Sequence, residues 1–157
     1  MTIGGKFAPH YDYRRMTTID TQSFMSVNIY LNDVPEEHNG ATRILQHLDP
    51  GRKPDRNTPL TVLGKIQPTQ GTASIFRETV WHDGEGLRAG EKFLLRTDVR
   101  YERQGEFNFD QICKGLNRVG KANKALEISY ALAGGGNLFE AEAWRARAFE
   151  YDSFKDY

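Results

Sequence analysis

The segment that most constrains the fold is Ser23 to Leu31, in which β-forming residues alternate between two faces. One face is fully apolar and consists of Met25, Val27, Ile29 and Leu31. The other face mixes aromatic and polar side chains: Phe24, Ser26, Asn28 and Tyr30. Side chains two positions apart lie on the same face of a strand, so this pattern predicts a β-strand. We expect the apolar face to lie in the core.

Further short segments have β-forming composition, and clusters of Gly, Pro, Asn and Asp separate them. The predicted strands are residues 41–45, 60–66, 72–76, 79–82 and 92–101, and an extended segment leads to His10. Closely spaced strands joined by such turns favour a sandwich or a jelly roll over a parallel α/β sheet. We therefore predict a mainly β domain over residues 1–104.

The composition changes after residue 104 and becomes rich in Ala, Leu, Lys and Glu. Two helices are predicted, over residues 109–132 and 138–151, with a glycine-rich break between them at residues 133–137. In the second helix, one face is predicted to carry Phe139, Ala143, Ala146 and Phe149. The prediction for residues 105–157 is a helical hairpin, which makes the fold class mainly β with α.

The charge balance argues against two classes of partner. Lys and Arg number 21, as do Asp and Glu, so the formal net charge is zero. Nucleic acids and anionic membranes both favour a basic surface, so neither is expected as a partner. The chain has no apolar run of transmembrane length, and its first residues lack the apolar core of a signal peptide. A single cysteine, Cys113, excludes an internal disulfide and favours a reducing, cytoplasmic location.

The residues most suited to chemistry are a histidine and a carboxylate near the start of the chain. His10 and Asp12 are two positions apart, so they lie on the same side of an extended segment. A third ligand is available in His82. Two His and one carboxylate on one face of an octahedron leave open positions, as in non-haem Fe(II) oxygenases. Lys92, ten residues after His82, could anchor an acidic cosubstrate, and Arg96 is a rival anchor.

Each of these residues also has a purely structural interpretation. His10 and Asp12 could form a surface pair, and His82 could be a strand-end histidine. Lys92 could be a charge that protects an exposed sheet edge. His38 and His47 lie in polar loops and are interpreted as solvated, and Cys113 as a buried, inert thiol.

The arrangement of motifs over about the first 100 residues resembles one enzyme family. In chain order the matching segments are Gly5-x-Phe7-x-Pro9-His10-x-Asp12, Tyr30-Leu31-Asn32-Asp33-Val34, Gly40-Ala41-Thr42, Pro68-x-x-Gly71-x-Ala73-x-x-Phe76, His82-x-Gly84 and Gly90-x-Lys92. This order is similar to that of the Fe(II)/2-oxoglutarate-dependent dioxygenases, and within them to the prolyl 4-hydroxylase-like branch. The resemblance implies a double-stranded β-helix, also called a jelly roll.

The resemblance also implies roles for individual residues. His10, Asp12 and His82 would be the iron ligands, and Lys92 would pair with the distal carboxylate of 2-oxoglutarate. Tyr30 and Phe7 are further candidates for contact with this cosubstrate. Family members usually carry a tyrosine where this chain has Phe7, which keeps the ring and loses the hydroxyl.

The implied activity is hydroxylation of an unactivated C–H bond, coupled to decarboxylation of 2-oxoglutarate to succinate. The implied cofactors are Fe(II), 2-oxoglutarate and O2, with ascorbate as a further expectation. Prolyl residues in a peptide, another side chain and a small metabolite all remain open as the prime substrate. Only nine residues precede His10, so we expect the first strand or strands of the family's barrel to be missing from this chain.

The C-terminal segment carries a second, weaker resemblance. Gly136-Asn137-x-x-Glu140-Ala141, followed by Ala148 and Tyr151-Asp152, is similar to part of a tetratricopeptide helical pair. A protein partner could therefore bind through residues 105–157. Two alternative functions stay open: a catalytically inactive metal-binding jelly-roll protein, and a protein-interaction module that uses the helical tail.

Overall fold

The computed structural model describes residues 1–46 and 61–151. These ranges contain eight β-strands, three α-helices and one 3-10 turn: β1 (Phe7–His10), β2 (Met16–Thr18), β3 (Thr21–Tyr30), the turn (Glu36–His38), β4 (Thr42–Leu45), β5 (Val62–Ile66), β6 (Ala73–Arg77), β7 (His82–Gly84), β8 (Leu94–Glu102), α1 (Phe109–Ile112), α2 (Arg118–Gly134) and α3 (Leu138–Tyr151). Three predictions fall at least partly outside the described residues. They concern His47, the first residue of the strand predicted at 60–66, and Asp152 at the end of the tetratricopeptide-like pattern.

The chain divides into two compact units. The first consists of Met1–Asp12 and Met25–Val99, and the second of Tyr13–Phe24 and the chain from Arg100 onward. The segment Tyr13–Phe24 therefore belongs with the C-terminal helices, although it lies within the first 104 residues. The division into domains at residue 104 stays a prediction.

The strands form two antiparallel sheets. One has the order β1-β7-β4-β5, and the other has the order β2-β3-β6 with β8 also paired with β3. The predicted preference for antiparallel β-structure over a parallel α/β sheet is confirmed, and the fold is consistent with a β-sandwich or jelly-roll-like arrangement. No helix within the described ranges combines the length and apolarity needed to cross a bilayer.

Strand β3 forms where the sequence predicts it, but its buried face is the opposite one. Ser26 is 1% exposed and Asn28 6%. Both lie on the face that mixes aromatic and polar side chains, so this face is the buried one. Leu31, on the fully apolar face, is 51% exposed. The prediction that the apolar face lies in the core was wrong. The physical reason is that the buried polar groups are hydrogen-bonded, for example Ser26 Oγ to Asp12 at 2.5 Å, and a satisfied polar group tolerates burial.

Strand β7 is displaced from its predicted position. Thr79 and Val80 lie in a turn, and the strand begins at His82 and includes Asp83 and Gly84, which were predicted to be a turn. Pairing with β1 on one side and β4 on the other extends these residues despite the glycine. The short strand β2 was not predicted at all.

The second unit contains the predicted helical segments, with the first one broken. Helix α1 is a single turn, and α2 begins at Arg118 after a glycine with φ +85°, Gly115. Both helices have asparagine N-caps: Asn108 accepts from the Gln111 amide and Asn117 from the Gly120 amide. Such caps are typically worth about 1 kcal/mol. Cys113 is fully buried in the core of this unit, as predicted.

Helix α3 has the predicted bounds, but a different face is buried. Ala141 and Ala148 are buried, and Trp144 packs partly against the same core. Phe139, one of the four residues predicted to share a face, is 88% exposed. The small alanines allow a close approach of α2 and α3, since Ser129 Oγ donates to the Ala141 carbonyl at 2.6 Å. The buried face is therefore the one that carries Ala141 and Ala148.

Gly135 should be intolerant of any side chain. A Cβ atom there would lie 2.0 Å from the Met16 carbonyl oxygen, whereas a Cβ atom at Gly134 would meet nothing within 4 Å. We expect Gly135→Ala to lower the free energy of unfolding by about 1–3 kcal/mol through overpacking. Gly134→Ala, the matched control in the last turn of α2, should leave it unchanged or raise it. Urea denaturation measures both, and equal effects would contradict the predicted clash.

Candidate metal centre

Two neighbouring strands bring the predicted histidines together. His10 ends β1, His82 begins β7, and these two residues are direct partners in the antiparallel pairing. Directly opposed side chains lie on the same face of a sheet, and the two imidazole rings have their centroids 4.3 Å apart. Asp12 follows two residues after the end of β1. The sequence spacing thus places all three side chains on one face.

The ligand atoms of the three residues form a tight cluster. One ligand atom each from His10, Asp12 and His82 lies within 4.8 Å of the others, and among the described residues this is the group that could hold a metal ion. His10 Nε2 is 3.7 Å from Asp12 Oδ1, and His82 Nε2 is 3.9 Å from Asp12 Oδ2. Asp12 and His82 are buried, and His10 is partly exposed. His38 does not belong to this cluster.

Backbone hydrogen bonds determine which imidazole nitrogen can bind a metal. His10 Nδ1 lies 2.8 Å from the Ala8 carbonyl oxygen, and His82 Nδ1 lies 2.9 Å from that of Val80. A carbonyl oxygen can only accept, so each Nδ1 carries a hydrogen and Nε2 is the nitrogen left to bind a metal. An outer hydrogen bond of this kind is the usual way in which a ligating histidine is oriented. The donor set therefore suits a divalent metal.

The protonation states at neutral pH also fit metal binding. Burial alone would raise the pKa of Asp12, but the Ser26 hydrogen bond and the Arg96 charge together hold it below its ordinary value. Burial lowers the pKa of His82, against the opposing effect of the Val80 hydrogen bond. Asp12 is therefore ionised and His82 neutral at pH 7, which are the forms that bind Fe(II).

Arg96, predicted as an alternative cosubstrate anchor, instead contacts a predicted metal ligand. Its guanidinium Nη2 lies 2.9 Å from Asp12 Oδ1 and 3.3 Å from Asp98 Oδ1. The Ser26 hydroxyl donates to the other oxygen of Asp12, Oδ2. Both carboxylate oxygens of Asp12 therefore have hydrogen-bond donors.

Lys92 belongs to a separate buried polar cluster. It is only 2% exposed, and its Nζ donates to the Gly40 carbonyl at 2.7 Å and lies 5.6 Å from the centroid of the Tyr30 ring. The Tyr30 hydroxyl donates to Thr42 Oγ1 at 2.9 Å and lies 3.2 Å from Ser74 Oγ. Burial lowers the pKa of Lys92, although the charge of Glu85 opposes this. This burial contradicts the alternative interpretation of Lys92 as an exposed edge charge.

Aromatic rings pack against the two histidines. The Phe7 ring lies 4.7 Å from that of His10, and the Phe76 ring 4.6 Å from that of His82. Phe7 was predicted as a cosubstrate contact, and its described ring contact is with His10. These contacts restrict the orientations of the two imidazole rings.

An ion-pair network holds β7 in place next to His82. Asp83 is buried and receives two hydrogen bonds from Arg43 of β4, one of them from Nε at 2.8 Å. Glu85 lies 2.8 Å from Lys65 Nζ of β5. Successive residues of a strand point to opposite faces, so this network lies behind the sheet while His82 faces the cluster.

Sequence reasoning missed several residues of the site. Ser26, Thr42, Ser74 and Phe76 received no role in the site from the sequence. The alternation of side chains along β6 could have indicated them, because it places Ser74 and Phe76 on one face of the strand. In the structure, the strand register pairs Ser74 with Asn28 and Phe76 with Ser26. Only the strand pairing shows that this polar face is the buried one.

The comparison with family models agrees with this geometry. A model described as the 2OG-Fe(II) oxygenase superfamily matches residues 1–97. The chain belongs to the 2OG-Fe(II) oxygenase superfamily. The predicted superfamily is thereby confirmed, and with it a general oxygenase function that uses Fe(II), 2-oxoglutarate and O2. No curated protein matches the chain.

The lowered pKa of His82 predicts a pH dependence of stability. The unfolded histidine takes up a proton near pH 6.5, its ordinary value, whereas the folded one resists protonation. This contribution to stability is complete above pH 6.5 and is lost as the pH falls towards the folded pKa. His82→Asn should therefore lose less stability than the wild type between pH 7.5 and 5.5. Urea denaturation at both pH values measures this, and identical losses would contradict it.

The lowered pKa of Lys92 predicts a change of the same sign at higher pH. Because the folded pKa lies below 10.5, the unfolded chain holds the proton longer, and stability rises as the pH approaches 10.5. Lys92→Met should lack this rise between pH 7.5 and 10. Lys6→Met, which removes an exposed lysine of the same unit, should keep it. A rise that persists in Lys92→Met would show that another group causes it.

Proposed function

We propose that this protein is an Fe(II)- and 2-oxoglutarate-dependent dioxygenase that hydroxylates an unactivated C–H bond, as prolyl 4-hydroxylases do. The observation that carries the proposal is the convergence of the Nε2 atoms of His10 and His82 on the ionised carboxylate of Asp12. Superfamily membership supports it. The reaction would convert 2-oxoglutarate to succinate and CO2.

In this proposal His10, Asp12 and His82 hold the iron. The donor set matches the two-His, one-carboxylate pattern of non-haem Fe(II) oxygenases. Bound Fe(II) would supply O2 activation and the chelation of the keto acid. The protein holds the histidine rings through Ala8 and Val80, and Ser26 orients the carboxylate of Asp12.

Lys92 is the proposed partner of the distal carboxylate of 2-oxoglutarate. An ammonium group that is buried against a neutral carbonyl is costly, and an incoming carboxylate would compensate its charge. The hydroxyls of Tyr30 and Thr42 lie in the same polar cluster and offer further hydrogen bonds. Arg96 is the weaker candidate, since Asp12 and Asp98 already engage its guanidinium.

The proposal extends to the type of β fold, the prime substrate, the reductant and the cellular location. We infer that the two sheets form a double-stranded β-helix, because side chains of β1, β3, β7 and β8 meet around Asp12. A prolyl residue of a peptide is the proposed prime substrate, with ascorbate as a supporting reductant and a cytoplasmic location. The sequence resemblance supports the fold, the substrate class and the reductant, and the single cysteine supports the location.

Two alternative functions can be distinguished from the proposed enzyme. An inactive metal-binding protein of the same fold would keep the histidines and lose keto-acid binding, so the buried Lys92 argues for the enzyme. A protein-binding role of residues 105–157 is supported by large exposed side chains on the helices, such as Tyr130 and Phe139, 72% and 88% exposed.

Anaerobic titration with Fe(II) and then 2-oxoglutarate tests the proposal. We expect a weak visible charge-transfer band from the metal-bound keto acid. His82→Ala should abolish the band, and Lys92→Met should require roughly 10–100 times more 2-oxoglutarate, since a charge-assisted hydrogen bond is worth about 1.5–3 kcal/mol. Lys6→Met should behave as the wild type.

Two results would decide against the enzyme. A folded protein that binds Fe(II) without forming the band with 2-oxoglutarate would be the inactive metal binder. A folded protein that binds no Fe(II) would leave the helical unit as the better candidate for function. Circular dichroism establishes folding for every variant.

A further inference from the structure

The cation nearest to the metal cluster is one of the chain's own side chains. Arg96 Nη2 lies 2.9 Å from Asp12 Oδ1, and Asp12 Oδ1 is also the oxygen nearest to His10 Nε2, at 3.7 Å. The other carboxylate oxygen, Oδ2, accepts from Ser26 and lies 3.9 Å from His82 Nε2. The Arg96 guanidinium therefore binds the carboxylate oxygen on the His10 side of the cluster.

An incoming divalent cation would compete with this contact. A metal that takes Oδ1 must displace the guanidinium, and one that takes Oδ2 must lie within a few ångströms of its charge. Asp12 and His82 are buried but the Arg96 side chain is 35% exposed, so water screens the repulsion between like charges only in part. Arginine stays protonated at all accessible pH values, so it cannot relieve the repulsion by losing a proton.

Besides Asp12, the chain provides two further acceptors for Arg96: Ser26 Oγ, 3.4 Å from Nη2, and the carboxylate of Asp98. Asp98 is two residues further along β8, so it lies on the same face of the strand, and its Oδ1 is already 3.3 Å from Arg96 Nη2. A small rotation of the guanidinium would exchange Asp12 for Asp98 without moving the backbone. Asp98 is largely buried, with a side chain that is 13% exposed, so its charge is poorly screened and retains its attraction for Arg96.

We propose that Arg96 is a resident counter-cation of the metal site, shared between Asp12 and Asp98, and that metal binding transfers it to Asp98. This inference rests on the proposed function, because it takes Asp12 as a metal ligand. In the metal-free protein, Arg96 neutralises the buried carboxylate. In the metal-bound protein, Asp98 neutralises Arg96. Arg96 is a positioning residue whose presence lowers the affinity for the metal.

Removal of Arg96 should therefore tighten metal binding. Calorimetric titration with Mn(II), which needs neither O2 nor turnover, should give a dissociation constant for Arg96→Met about tenfold lower than that of the wild type, within the usual range for outer-shell partners. Ser26→Ala should act in the opposite direction, with about tenfold weaker binding, because the hydroxyl orients Asp12 without repelling the metal. Structural damage alone would not tighten binding.

Arg77→Met is the matched control for the loss of one positive charge. Arg77 ends β6 in the same sheet, and it is exposed on the face opposite to Phe76, whose ring packs against His82. Its replacement should leave the Mn(II) affinity within about twofold of the wild-type value, since solvent screens an exposed charge. An equal gain in Arg77→Met and Arg96→Met would reduce the effect to net charge and overturn the proposal.

The role of Asp98 is tested by a double-mutant cycle. In the wild-type background, Asp98→Asn should weaken Mn(II) binding several-fold, because Arg96 loses its second carboxylate acceptor and stays on Asp12. In the Arg96→Met background, the same change should have a much smaller effect. Equal effects in both backgrounds would show that Asp98 acts on the metal directly, which would contradict the exchange.

The outcomes separate this inference from the proposed function. Loss of Mn(II) binding in His82→Ala would establish the metal site whatever Arg96 does. If that site is established and Arg96→Met binds Mn(II) equally or more weakly than the wild type, the counter-cation proposal fails while the metal site stands. If the folded wild type binds no Mn(II), both fail together.

Discussion

The buried carboxylate of Asp12 is the constraint on which the first unit depends. A charge removed from water is tolerated only when donors surround it. Those donors, Ser26 from β3 and Arg96 from β8, belong to one sheet, and the two histidines beside Asp12 come from β1 and β7 of the other. The inner faces of the sheets must consequently be polar near Asp12. The reversed burial of β3 is a result of this requirement, because its polar stripe supplies the hydrogen bonds that the interior needs.

The sequence predicted the chemistry of the site better than its surroundings. His10, Asp12 and His82 were recognisable because few combinations of residue types bind Fe(II), and two of them are close in the chain. Lys92 was recognisable by its distance from His82. The contact between Arg96 and Asp12 was not predictable, since it depends on the register of β8 against β3. Residue types indicate which groups can react, whereas contacts between distant strands depend on pairing that a local pattern does not encode.

The fold predictions failed where hydrophobicity was taken as the guide to burial. The apolar face of β3 was assigned to the core and is partly exposed, and in α3 the large Phe139 is exposed whereas the small Ala141 is buried. Alanine carries little apolar surface but permits two helices to approach closely, so a small residue can mark the interface. The strand before His82 was misplaced for a related reason: residues 79–82 have β-forming composition, but β7 lies where it finds partners on both sides.

The hydrogen bonds from the two histidines have a consequence for how the metal enters. Each ring is braced by the carbonyl two residues earlier in its own segment, Ala8 for His10 and Val80 for His82. These hydrogen bonds are local in sequence, so the rings are oriented before any ion arrives. The histidine side chains therefore lose little conformational entropy when the metal binds. The sheet framework itself need not reorganise between the empty and loaded forms. The ion should accordingly enter and leave the site past the partly exposed His10, and its exchange should not require the protein to unfold.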